Sequence, residues 1–429
     1  MAITKINVDH IARIEGHGNV HLVIKDGALE TVEMNIVEAV RLFEAMVVGR
    51  SFRESSYICS RVCGICSPTH VVTDLQAIER IFDVEVSERT KLLRQLLIYG
   101  SYLQNHASHL FVFAVPDFIG QPSVFPLADI DPTLFNQALG LKRLGNDLCT
   151  VVGGRSIHPI TAVVGGFTSE PSRDEYLRLA DAMEAQIPFA EAVVDLFNGF
   201  AVTEFQTRGD LLATVEPGGY PVQSSNTLRF LQAGEEFDSN DRDEHIQEYK
   251  VEHSGAYFSR VKSSGRNYMT SALTRINASW DNLSKRAKIA AAKAGLRPPE
   301  LNPMRNNVAQ AVELVDALEH CVGYCRELAE TYEPGASLPV KYEVKAGKAI
   351  GVTEAPRGVA FHGMELDAEG RIVHASIMTP TCQNLANIED DIRVLAEKLL
   401  AEGVSEEFIR LEVEKLVRAY DPCLSCSVH

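Results

Sequence analysis

The first pattern along the chain is an alternation of apolar and polar residues over 18–37, interrupted by Asp26-Gly27. Period-two alternation marks strands with one buried face, and Asp-Gly supplies the positive φ angles of a tight hairpin turn, so a small N-terminal sheet is predicted. Apolar residues then recur at helical spacing from Ser87, a natural N-cap, to Val115. Pro116 is read as the stop, because it cannot continue the hydrogen-bond ladder. Ser172 and Glu175 form a capping box that opens a helix towards Phe197, disturbed at Pro188. Two more helices are expected near 268–294 and 306–332. The charge-dense stretch 237–250 marks an exposed loop or the covering of a core and is read as a solvated surface. Residues 338–370, rich in Gly and β-branched types with Glu369-Gly370 as a turn, read as short strands, and helical spacing returns over 387–420. No internal repeat is present.

Composition narrows the class. With 429 residues, 45% of them hydrophobic, the chain can bury an ordinary core. Its formal net charge of -17 argues against nucleic acid or an anionic membrane as the main partner, since either needs a basic surface. No run approaches the roughly 18–20 apolar residues of a membrane span, and 1–13 lacks a secretory pattern. Nine cysteines are too few for a disulfide scaffold, and five fall in two short clusters, which reads as reduced, metal-binding thiolates.

Cys63-Gly64-Ile65-Cys66 and Cys423-Leu424-Ser425-Cys426 share the two-residue spacer that lets two thiolates meet one metal ion. They lie at opposite ends of the chain, so the fold must bring the ends together. A structural four-cysteine zinc site is the plain alternative, but its pairs usually sit about 15–20 residues apart in one module. The expected architecture is mainly α with small β-sheets (α+β) and both ends at the metal. It forms a single unit over 1–429: a sheet segment 1–60, a helical core 61–335, a small β segment 336–384, and a C-terminal helix with metal motif 385–429.

The flanks sharpen this. Arg61-Val62-Cys63-Gly64-Ile65-Cys66 with His70, and Asp421-Pro422-Cys423-Leu424-Ser425-Cys426 with His429, closely resemble the signatures of the large subunit of nickel-iron hydrogenases. The likeness extends through Arg13-Ile14-Glu15-Gly16-His17, 41–50, 106–117, Gly153-Gly154-Arg155 with His158-Pro159, Ala355-Pro356-Arg357-Gly358 and Thr379-Pro380-Thr381. The resemblance implies Cys63 and Cys423 as terminal nickel ligands, and Cys66 and Cys426 as bridges to an iron carrying one carbon monoxide and two cyanides. It makes Cys423 the first proton acceptor and Glu15 the next. Arg357 would overhang the metals, held by Asp117 and Asp421. Thr381 would donate to a cyanide, with Pro380, Ala355 and Pro356 lining the same pocket, and His70 would bond a bridging thiolate. Glu44, the Ile377 carbonyl and His429 would bind a second metal, magnesium or iron. In this family a C-terminal extension is usually removed after the last histidine.

Other residues read more plainly. His106 and His109 are three apart on a helix and are read as packing and hydrogen-bonding residues beside a small subunit. Cys321 and Cys325 look like buried core thiols. Cys59, Cys149 and Cys382 have no ligand role in the signature.

The implied activity is reversible heterolytic cleavage of H2. After the four ligands no cysteine pattern fits an iron-sulfur cluster, so electrons must leave through a small iron-sulfur subunit. The spacing resembles the cytoplasmic, multisubunit, bidirectional class, which implies diaphorase-type subunits and NAD(P), ferredoxin, a deazaflavin or a disulfide reductase as acceptor, with electron bifurcation as one form. The rivals are a hydrogen-sensing regulatory relative, a respiratory-complex scaffold of the same fold, which would lack the four cysteines, and the zinc-clamped structural protein.

Overall fold

The N-terminal alternation becomes a three-stranded antiparallel sheet, Ile3–Val8, Gly18–Lys25 and Ala28–Ile36 in that order. Asp26 and Gly27 turn the hairpin with φ of 50° and 82°, the two positive angles its tight turn requires. The structure, a computed structural model, describes residues 3–8, 11–223, 225–336 and 338–428, with side chains from Ile6 onwards.

A helical body follows. Ser67–Phe82, Glu88–Ser108, Pro132–Gly153 and the 25-residue helix Asn306–Glu330 build it. Ser87 caps the second of these by accepting from Thr90 N. Pro116 does not end the helical path as expected. The path widens into a π turn, His109–Ala114, and continues through Val115–Phe118. Proline is tolerated there because it occupies the first turn, where its missing N–H is not needed. Pro188 does more than disturb its helix. The chain breaks into Arg173–Glu184, with the Ser172/Glu175 capping box, and Ile187–Asn198, whose first turn holds the proline.

Two other expectations need correction. Residues 268–294 are not one helix but a strand, Tyr268–Met269, parallel to Asp210–Thr214, followed by Ala272–Ser279 and Lys285–Lys293. The fully buried Tyr268 side chain and the capping side chain of Ser271 favour that start. Residues 237–250 are not a solvated surface throughout: Glu235–Asp238 and Ile246–Lys250 are strands, because Phe237 and Ile246 bury against Val352 and Phe361.

The late β segment is an antiparallel sheet of Gly347–Ala355, Gly358–Leu366 and Ile372–Met378, and two helices, Pro380–Ala401 and Glu406–Ala419, follow. The architecture is therefore α+β, mainly helical. Among the described residues no helix is long and apolar enough to cross a membrane. Two large cores form. One holds the helical body with Cys63, Cys66, Cys423 and Cys426. The other joins the N-terminal sheet to the last two long helices and takes in Leu424 and Val428. The C-terminal motif thus lies on the seam, with Cys423 and Cys426 in one core and Leu424 and Val428 in the other.

Candidate metal centre

Cys63 follows the short 3-10 turn Ser60–Val62, and Cys66 is the N-cap of the helix Ser67–Phe82. Cys423 follows Asp421, whose φ of 51° turns the chain, and Cys426 sits on the single turn Leu424–Ser427. All four are buried, between 1% and 5% exposed. The Cys63 and Cys423 sulfurs are 3.8 Å apart, and the sulfurs of Cys63, Cys66 and Cys426 lie within 4.8 Å of one another. The Sγ atoms of Cys423 and Cys426 are in bonding contact, as in a disulfide. Cys66 N–H donates to Cys63 Sγ at 3.2 Å. A hydrogen bond from the Cys66 thiol holds Cys63 below the ordinary thiol range; burial opposes this and the Arg357 cation supports it, while burial raises Cys66.

The N-terminal segment closes over this cluster. Glu15 and Cys423 form a parallel β-bridge, and Leu424 N–H donates to Glu15 O at 2.8 Å. Glu15 Oε2 stands 2.9 Å from Cys423 Sγ and accepts from Ser425 N at 3.2 Å. Gly16 permits the approach: its φ is 86°, and a Cβ there would lie 2.8 Å from Ser425 N. Arg41 latches the two motifs: its side chain donates to the Val62 and Arg61 carbonyls at 2.8 and 2.7 Å, and its backbone N–H donates to Val428 O at 2.8 Å.

Arg357 springs from the turn between Gly347–Ala355 and Gly358–Leu366 and is 3% exposed. Its Nε donates to Asp421 O at 2.7 Å and lies 3.1 Å from Asp421 Oδ1. Both terminal guanidinium nitrogens are buried without a hydrogen-bond partner. Burial would lower its pKa, yet Asp421 and the Cys63 and Cys66 thiols raise it above the ordinary arginine value. Asp421 is lowered despite burial, because Arg357 faces it and Asn105 and Gln310 donate to Oδ2 at 2.7 and 3.0 Å.

Asp117 requires correction. Its carboxylate is taken by Arg418, at 2.5 and 2.9 Å, and by Arg13, so Asp421 holds Arg357 and Asp117 ties the π-turn region to the C-terminal helix and the N-terminal segment. Thr381 Oγ1 accepts from Cys423 N at 3.0 Å, so its own proton is available to another acceptor. Pro380 is the first residue of that helix and is buried. The Ala355 and Pro356 carbonyls accept from Arg275.

His70 shares a 2.9 Å hydrogen bond with His362, and His70 N–H donates to Cys66 O at 3.3 Å. Beyond it Cys59, Asp74 and His362 converge, all fully buried. Glu44 Oε1 accepts from Ile377 N at 2.7 Å, which places these two residues together; His429 lies outside the described residues. His106 bonds Glu313, and His109 bonds Gln310 and the Arg418 carbonyl, both inside the helical body. Cys321 is buried, and burial pushes Cys149, Cys325 and Cys382 up to about 12, leaving inert thiols.

Sequence reasoning placed Arg41 only within the matched segment 41–50 and missed Asn105, Gln310, Asp74, His362, Arg275 and Glu313. The only signal was polar residues on otherwise apolar helical or strand stretches, which reads equally as a solvated face.

Four buried cysteine sulfurs, a carboxylate against one of them and a buried guanidinium with two open terminal nitrogens form a candidate metal centre; with Cys423 and Cys426 reduced, the soft donor set suits nickel and iron, and the open guanidinium nitrogens suit small anionic ligands on them. Comparison with known proteins makes the class specific. Residues 41–134 and 269–429 match the nickel-dependent hydrogenase family, and the chain belongs to that family. It is 34% identical over 431 residues to the sulfhydrogenase 1 subunit alpha of Pyrococcus furiosus, covering 99% of this chain and 97% of the relative. It is 27% identical to the NAD-reducing hydrogenase HoxS subunit beta of Cupriavidus necator, over 99% of this chain and 94% of that one. Among solved structures, an NAD+-reducing NiFe hydrogenase in its H2-reduced state superposes with a TM-score of 0.87 at 26% identity over 99% of both chains. The Ni-Fe-Se hydrogenase of D. vulgaris Hildenborough shares the fold at a TM-score of 0.75 and 22% identity. The chain is accordingly a member of the nickel-dependent hydrogenases, and the four-cysteine cluster is its candidate metal centre.

Proposed function

We propose that this chain is the catalytic subunit that cleaves H2 reversibly, with Cys63, Cys66, Cys423 and Cys426 holding nickel and iron and Cys423 receiving the proton. The observation that carries the reading is the 2.9 Å approach of Glu15 Oε2 to Cys423 Sγ at the edge of the buried thiolate cluster. The bound metals supply the Lewis acid and the electron sink for heterolysis. The residues do the rest. Cys423 Sγ holds the proton and Glu15 Oε2, within hydrogen-bond reach, takes it outward. Arg357 would hold small ligands of the metals with its two open terminal nitrogens, and Thr381 would offer its hydroxyl proton to another; one carbon monoxide and two cyanides on iron would fit those donors. Glu44 and the Ile377 carbonyl, with His429, bind the second metal, magnesium or iron.

Each H2 yields two electrons as well as two protons. The remaining cysteines among the described residues are buried and scattered, so the electrons leave through a small iron-sulfur subunit, and diaphorase-type subunits pass them to a soluble acceptor in the cytoplasm. The likeness to two NAD-reducing hydrogenases supports NAD(P) as the acceptor among NAD(P), ferredoxin, a deazaflavin and a disulfide reductase. The test is metal analysis and infrared spectroscopy of the purified complex with H2 and NAD(P). Nickel, iron and the bands of bound carbon monoxide and cyanide with turnover are expected. Zinc without those bands refutes the reading, and intact bands with negligible turnover would make the protein a hydrogen sensor.

A further inference from the structure

We infer that Arg275 is a positioning residue for hydrogen cleavage, fixing the peptide from which Arg357 reaches over the thiolates. This rests on the proposed role of Arg357. Because the terminal nitrogens of Arg357 have no partner, its aim is set from behind. Asp421 grips only Nε. The base of the side chain is fixed by Arg275, whose Nη1 donates to Ala355 O and whose Nη2 donates to Pro356 O, each at 2.8 Å. Those are the carbonyls of the two residues that precede Arg357.

Arg275 is itself locked. Its Nε and Nη2 donate to the two oxygens of Glu313 at 2.6 and 2.7 Å, and Nη1 lies 3.1 Å from Glu354 Oε2. Glu313 also accepts from Tyr220 at 2.6 Å and bonds His106 at 2.8 Å. Arg275, Glu313 and Glu354 are at most 1% exposed. On the far side of the turn Thr270 Oγ1 accepts from Val359 N at 2.9 Å and packs so closely on Gly358 that a Cβ there would lie 2.6 Å away. A buried ion pair is a poor source of stability compared with apolar packing. What it supplies here is a planar fork able to span two consecutive carbonyls while both carboxylates hold it, which lysine cannot reproduce.

The test uses the complete complex carrying Arg275→Lys, Arg357→Lys and both. Arg275→Lys is expected to retain nickel and iron, shift the infrared bands of the iron ligands and lower kcat by roughly 10- to 100-fold, as a small misplacement of a catalytic group does. In the Arg357→Lys background it should add less than about twofold, since it acts through Arg357. An additive loss in that background, or full activity with unmoved bands in Arg275→Lys alone, overturns the inference while leaving the role of Arg357 standing. Full activity in Arg357→Lys overturns both. Should Arg275→Lys not assemble, Tyr220→Phe removes one hydrogen bond to Glu313 and carries the same comparison. A loss of about threefold that vanishes in the Arg357→Lys background supports the inference, and no loss or an additive one refutes it.

Discussion

Replacing Glu15 by Gln separates proton transfer from every structural duty of the residue. Its backbone carbonyl, which accepts from Leu424 N, and the β-bridge to Cys423 are untouched. The amide oxygen can still accept from Ser425 N, now 3.2 Å from Oε2. Turning a charge-assisted hydrogen bond into a neutral one at this half-buried position costs about 1 kcal/mol, too little to unseat the C-terminal motif. Only the acceptor for the Cys423 proton is lost. A positioned general base contributes about 10²–10⁴ in rate, or roughly 2.7–5.4 kcal/mol of barrier, so turnover should fall within that range. The assay is H2 oxidation and hydrogen–deuterium exchange by the purified complex, with metal content and infrared bands recorded on the same sample. Unchanged bands with turnover and exchange depressed together are expected. Shortening the side chain in Glu15→Asp should give an intermediate loss, since the carboxylate retreats by about 1.5 Å from the sulfur. Exchange within about threefold of the wild-type rate in Glu15→Gln would place the proton exit elsewhere.

Cys423→Ser replaces a soft ligand by a hard one, and should abolish turnover and reduce nickel content measured by mass spectrometry; full activity would remove Cys423 from the ligands. Asp117→Ala leaves the buried Arg418 with Glu414 as its remaining carboxylate and the Ala12 carbonyl as a neutral acceptor, so the complex should lose about 3 kcal/mol of stability in thermal unfolding with the infrared bands in place. Asp421→Asn should do the reverse, shifting the bands and lowering kcat, because it is Asp421 that faces Arg357. Burial raises Asp391 to about 7, despite the hydrogen bond from Tyr420. The folded state therefore binds a proton that the unfolded state has already released, and stability falls as pH rises from near 4 towards 7. Asp391→Asn should flatten that slope in unfolding measured from pH 4.5 to 8, and an unaltered slope would contradict the assignment.

The sequence made the ends of the story legible and the middle opaque. The hairpin at Asp26-Gly27, the Ser87 and Ser172 caps, the long helix after Asn306 and the late strands all follow from local signals that involve neighbours in sequence. The helices Ser67–Phe82 and Pro132–Gly153 went unremarked, the first because nearly every position is buried and the amphipathic rhythm is lost. Residues 237–250 misled for the opposite reason: Phe237 and Ile246 are lone apolar positions in a charged stretch, and only packing against Val352 and Phe361 reveals them as inward-facing. The ligand pairs were legible because CxxC spacing is itself chemistry. The partner of Asp117 was not, since two arginines can satisfy one motif aspartate and sequence does not say which stands within reach.

What the fold adds is the reason the motif sits on a seam. Cys63 and Cys66 are placed by a helix start in the body, whereas Cys423 and Cys426 are placed by a single turn whose intervening Leu424 is claimed by the other core. The four sulfurs therefore meet only when both cores are packed against each other. Three features hold that junction: the Glu15–Cys423 bridge, the Arg41 latch across Arg61, Val62 and Val428, and the Asp117 ion pairs to Arg13 and Arg418. Two of them use the N-terminal segment that also carries Glu15, the proposed proton acceptor. Closing the cysteine cluster and setting Glu15 beside Cys423 are thus one structural event, so under the proposed function assembly of the metal site and of its proton exit are coupled.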